Sequence, residues 1–108
     1  MSIKVNIHKT HRQFTNDLDI VKAEGNIVGD CLDNLVRQFP VMGEALFDKK
    51  GKLARVIEIY VNSKIAYPDE LAKQVKDGDN IHITLLLAGD KGKKAMRLGG
   101  GLYGVYYG

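Results

Sequence analysis

Hydrophobic and polar positions alternate from Ser2 to His8, with Ile3, Val5 and Ile7 set against Ser2, Lys4, Asn6 and His8. A period of two marks a strand with one buried face. A polar connection from Lys9 to Asp19 follows, and Ile20 to Glu24 suits a second strand hairpinned on the first. The period then lengthens. Val28, Cys31, Leu32, Leu35, Val36 and Phe39 fall at i, i+3, i+4, i+7, i+8 and i+11, while Asp30, Asp33, Asn34, Arg37 and Gln38 take the other side. One apolar stripe at that spacing predicts a helix packed on a sheet. Asn26 is placed to cap it, the early acids and late Arg37 match the helix dipole, and Pro40 ends it.

Met42 to Phe47 predicts one more helical turn, and Asp48 to Lys52 an exposed turn. From Arg55 to Asn62 the alternation returns: Ile57, Ile59 and Val61 point one way, and Glu58, Tyr60 and Asn62 form a solvated face. A short strand is expected around Ile65-Ala66, then a brief helical turn from Pro68-Asp69 through Leu71, and a tight turn at Lys76–Asp79. The last strand is predicted over Asn80 to Leu87, with Ile81, Ile83, Leu85 and Leu87 inward. Two early strands, one long helix and a strongly apolar late strand imply an α+β fold: a mixed sheet of four to five strands with the main helix across one face. The crossover lets the first and last strands pair in parallel near the centre.

Composition changes this picture at one place. Up to Gly89 the 108-residue chain carries 12 Lys/Arg and 12 Asp/Glu. Beyond it Lys91, Lys93, Lys94 and Arg97 face Asp90 alone, so the net charge of +3 lies entirely in that last stretch. Six of the twelve glycines and three of the five tyrosines also follow Asp90. The chain therefore divides into a neutral body, 1–89, and a basic Gly/Tyr-rich segment, 90–108, expected to be a flexible tail. A basic pI would suggest nucleic acid, but neither a basic face nor a nucleic-acid motif is read within residues 1–89. The glycine-spaced tyrosines of Leu102–Gly108 suit strand addition to a sheet edge or base stacking, and more plainly a disordered appendage.

Local chemistry is sparse. His8 and His11 lie three apart, but on a strand end running into a loop and without a nearby Cys or acidic partner, so no metal site is expected. His82 is expected on the solvated face of the last strand. Cys31, the single cysteine, sits on the apolar stripe as a buried, inert side chain; with no disulfide possible, a cytoplasmic location is expected. No nucleophile elbow, phosphate loop or calcium loop is present, no apolar run approaches the roughly 18 residues of a membrane span, and the N-terminus lacks a signal-peptide layout. No cofactor and no catalytic residue are expected.

Three stretches together resemble the MoaD/ThiS family of ubiquitin-like, β-grasp sulfur carriers. Val28-Gly29-Asp30-Cys31-Leu32-Asp33-Asn34-Leu35 through Phe39-Pro40 is similar to the family's T-V-x-x-L-L-x-x-L helix with its aromatic-Pro exit. Leu46-Phe47-Asp48 to Gly51-Lys52-Leu53, followed by Ile59-Tyr60-Val61-Asn62, resembles L-x-D-x-x-G-x-L and V-x-V-N-G. Val75-Lys76-Asp77-Gly78-Asp79-Asn80-Ile81 through Leu87-Ala88-Gly89 resembles L-K-D-G-D-x-V-x-I-x-P-x-x-A-G-G. Two positions depart. Ser63 stands where the family has Gly, a change a turn accommodates, and Asp90 replaces the second terminal glycine, with 18 further residues after it.

The resemblance implies a protein that is not an enzyme but the substrate of a ubiquitin-activating-type adenylating enzyme. Its terminal glycine carboxylate would be adenylated, thiocarboxylated, and its sulfur passed to an acceptor enzyme in a molybdopterin, thiamine, cysteine or tRNA thiolation pathway. The candidate termini are Gly89 and, within Arg97-Leu98-Gly99-Gly100-Gly101, Gly99, Gly100 and Gly101 after cleavage by a processing metalloprotease of the kind some members require. Tyr60 and Leu86, on the exposed side of the sheet, are the candidate docking residues. The alternative is a β-grasp interaction module without carrier chemistry, whose tail mediates oligomerisation or partner binding.

Overall fold

The computed structural model of the chain describes residues 2–86. Five strands, β1 (Ile3–Asn6), β2 (Ile20–Ala23), β3 (Ile57–Val61), β4 (Lys64–Ile65) and β5 (Asn80–Leu85), form one sheet in the order β2-β1-β5-β3-β4. The central β1–β5 pair is parallel and the other three pairs are antiparallel. A helix, α1 (Val28–Gln38), crosses one face, and a short α2 (Met42–Leu46) follows it. The predicted β-grasp arrangement is the one observed.

The core is the inner face of this sheet closed by the helix. Ile3 and Val5 of β1, Ile59 of β3 and Ile81 of β5 are fully buried against Val28, Cys31, Leu32 and Leu35 of α1. The i, i+3, i+4, i+7 stripe and the period-two strands thus meet, each supplying the apolar surface the other needs.

Several local expectations are corrected. Asn26 does not cap α1: the N-cap position is Ile27, with no side-chain cap bond. The Lys73–Val75 segment runs alongside, so the Val28 N–H donates to the Lys73 carbonyl at 2.9 Å, and the Val75 N–H donates to the Asn26 carbonyl. The Asp30 carboxylate instead takes the Asn26 N–H at 3.3 Å. Gly25 makes room for this, because a Cβ there would collide with the Asp30 Cβ. The helix ends at Gln38, with Phe39 as its cap and only half-buried.

The Lys9–Asp19 stretch is not merely a polar connection. Lys9–Phe14 is a 3-10 helix, and His11 and Thr15 are buried. The Thr15 hydroxyl lies 2.9 Å from the Leu18 carbonyl, which satisfies it inside the fold. The strand ends also shift. β3 begins at Ile57, not Arg55; β4 covers Lys64–Ile65, not Ile65-Ala66; and the helical turn after Pro68 is a 3-10 segment, Glu70–Ala72. β5 ends at Leu85, and Leu87 lies outside the described residues. In the β3–β4 turn Asn62 and Ser63 both take positive φ, 50° and 71°, the conformation glycine adopts most readily.

Candidate functional site: the open face of the sheet

The face opposite α1 is built by the residues that alternate with the core. Because the pairings are in register, one lateral row crosses all five strands: Ile20, Asn6, His82, Tyr60 and Ile65. Nothing among the described residues covers this row as α1 covers the inner face. Large side chains therefore stay exposed along it and beside it, including Ile20, Ile65, Val56 and Tyr67, the last 62% exposed.

The expected solvated face of β3 contains a surprise. Glu58 is only 8% exposed. The Tyr60 hydroxyl donates to its Oε1 at 3.0 Å, joining two outward-facing residues of the same strand. That bond, then burial, then the negative charge of Glu58 raise the phenol pKa above its ordinary value, so Tyr60 stays a protonated donor. No sequence signal distinguishes a carboxylate held this way from one in water, since alternation assigns a face and not its depth.

Leu86 is the last described residue. Its N–H donates to the Val56 carbonyl at 2.8 Å, carrying the β3–β5 ladder one residue past Leu85. It is half-buried rather than exposed, and it lines a cavity of about 180 Å³ with Leu53, Ala54, Ile57, Glu58 and Tyr67. Tyr60 and Leu86 are on the same face but not adjacent. Tyr60 is paired with His82, so Leu86 lies four residues along β5, about 13 Å away. Gly89, Gly99, Gly100 and Gly101, together with Asp90 and the whole basic segment, lie outside the described residues.

The remaining reactive groups are elsewhere. Cys31 is fully buried, and burial, followed by the neighbouring Asp30 charge, pushes its thiol up to about 11. Beyond the end of β1 the His8 Nδ1 accepts from the Thr10 N–H at 3.2 Å and lies 2.8 Å from its hydroxyl. His11 is 7% exposed and packs on Phe14, with no hydrogen-bond partner for Nδ1. Burial and then His8 lower its pKa. Among the described residues no three His, Cys, Asp or Glu side chains gather as a metal site, and no helix is long and apolar enough to cross a membrane. His82 is half-buried in the lateral row, not simply solvated.

No protein-family model and no curated protein matches the chain. Solved structures do. A chain of the Amycolatopsis orientalis BexX/CysO complex superposes with a TM-score of 0.72 at 31% identity, covering 81% of this chain and 98% of that one. CysO from Mycobacterium tuberculosis gives 0.72 at 30% identity, over 79% and 99% of the two chains. SAMP1 from Haloferax volcanii gives 0.70 at 23% identity over 82% and 99%, a likeness of fold. The three sequence stretches, the β-grasp sheet and these similarities converge: the chain belongs to the MoaD/ThiS family of ubiquitin-like sulfur-carrier proteins.

Proposed function

We propose that this protein is the acyl partner in an adenylation and sulfur-transfer cycle, with a glycine carboxylate beyond Leu86 as its only reacting group. The observation that carries this reading is the position of the last described residues. The central strand β5 ends at Leu85, and Leu86, half-buried beside Leu53, Ala54 and Tyr67, stands three residues before Gly89. In the cycle, the carboxylate oxygen attacks the α-phosphorus of ATP and pyrophosphate leaves. A sulfur nucleophile supplied by the partner then attacks the acyl carbon and AMP leaves with its bonding electrons. The chain needs no catalytic residue for this, and glycines at the reacting end leave the acyl carbon unobstructed. Gly89 serves if the chain is cut there. Gly100 or Gly101 serves if a metalloprotease cuts within Gly99-Gly100-Gly101.

Tyr60 and Leu86 are the proposed contacts for the adenylating enzyme and the sulfur acceptor. Between them lies about 13 Å of strand, enough to hold a partner at two points on one face. That CysO of Amycolatopsis occurs in a complex with BexX supports a partner-dependent role for this chain. Asp90, in place of the second glycine, favours a second reading, a β-grasp interaction module without carrier chemistry.

Incubation of the full chain, and of chains ending at Gly89, Gly100 and Gly101, with ATP, a sulfur donor and the adenylating enzyme of the same genome separates the two. The carrier reading expects an acyl-adenylate and then a mass gain from oxygen replaced by sulfur, in at least one form. Neither product in any form leaves the interaction module.

A further inference from the structure

The outer face has a second, chemically different region on the β1 side of β5. Where β1 runs into the 3-10 segment, a concavity of about 450 Å³ opens, lined among others by Asn6, His8, Lys9, Arg12, Asp19 and His82. The body as a whole is charge-balanced, yet here Lys9 and Arg12 meet only Asp19. The donors are also held in place. Arg12 Nε donates to the Ile7 carbonyl at 3.1 Å, which fixes the guanidinium against the β1 end while its two terminal nitrogens bond no described residue. Thr10 donates its backbone N–H to His8 Nδ1, so neutral His8 carries its proton on Nε2, the nitrogen turned away from that loop bond. Asn6 and His82 line the concavity and also belong to the lateral row, and His82 is the cross-strand partner of Tyr60, so the concavity begins on the strand beside Tyr60.

We infer that this concavity seats a carboxylate side chain from an acidic segment of the protein that docks on the open face. A hollow lined by residues that carry a planar guanidinium, an ammonium and an imidazole N–H matches a carboxylate. The apolar contacts around Leu86 flank the same end of β5 on its β3 side, so the partner presents an apolar contact and an acidic residue on one surface. This rests on the carrier reading only for the identity of the partner, the adenylating enzyme.

Two measurements test it. Titration of the full isotope-labelled chain with a hexaglutamate peptide is expected to shift the His8 and His82 ring protons and the Lys9 and Arg12 amides, and to leave the α1 face unmoved. Lys9→Ala and Arg12→Ala are each expected to reduce those shifts. In calorimetry with the adenylating enzyme, each variant is expected to weaken Kd about tenfold and to flatten its salt dependence. Lys9 is exposed, so its variant reports even if Arg12→Ala perturbs the fold. The assignment is overturned if hexaglutamate moves no signal of the concavity, if an octathymidine strand moves the same signals at lower concentration than the peptide, or if the enzyme binds both variants as tightly as the parent. Peptide binding in the hollow together with no adenylation of any form would uphold the dock and sink the carrier reading.

Discussion

The two faces of one sheet divide the labour of this molecule. On the inner face β1, β2, β3 and β5 contribute aliphatic side chains, and α1 excludes water from them; position there is decided by volume and shape. On the outer face the alternate residues of the sheet are Asn6, His82, Glu58, Tyr60 and Ile65, of which only Glu58 is buried. Position there is decided by hydrogen bonds and local charge. A side chain on the first face answers to the fold, and one on the second to whatever arrives from outside.

This contrast sets the order of expected effects. Leu35→Ala, at a fully buried site on α1, is expected to cost about 2–5 kcal/mol in chemical denaturation. A loss under about 1 kcal/mol would mean that the inner face is not close-packed. His11→Phe tests a buried polar group that belongs to neither face. The folded protein resists protonating His11, whereas the unfolded chain takes the proton near pH 6.5. Stability is therefore full above that pH and falls as acid is added, by up to about 1.4 kcal/mol per pH unit from this one group. The Phe variant is expected to flatten that slope, and an unchanged slope would show that His11 is not its source. Tyr60→Phe removes the bond to Glu58 and is expected to cost about 1 kcal/mol, with the fold intact by circular dichroism. Val56→Ser, at a site 52% exposed, is expected to leave stability within about 0.5 kcal/mol of the parent while weakening the adenylating enzyme's affinity. A stability loss as large as that of Leu35→Ala would erase the distinction between the faces.

What could be seen in the sequence follows the same division. Periodicity located α1 and the buried sides of β1, β3 and β5, because burial of one face imposes a pattern that survives in one dimension. It could not find the Lys73–Val75 partner of the α1 N-terminus, which lies some 45 residues away in sequence and replaces the cap expected of Asn26. It assigned Glu58 to solvent because alternation is blind to a neighbour that folds over a carboxylate. It also passed over His11 and Thr15, since a 3-10 turn that buries two polar side chains has no short repeating signature. Tyr60 and Leu86 were legible as outward residues. Their separation and the hollow beside Arg12 emerge only when the strands are laid side by side in register.

The depth of Cys31 has a consequence for the proposed cycle. A tethered thiolate would be the natural competitor for an activated acyl group, because an intramolecular attack enjoys a high effective concentration. With its thiol pushed up to about 11, Cys31 offers only about one thiolate in ten thousand at neutral pH, and it offers even that from the buried side of the helix. In the proposed cycle self-thioesterification into a closed ring would thereby be suppressed, and the acyl group left for an external nucleophile.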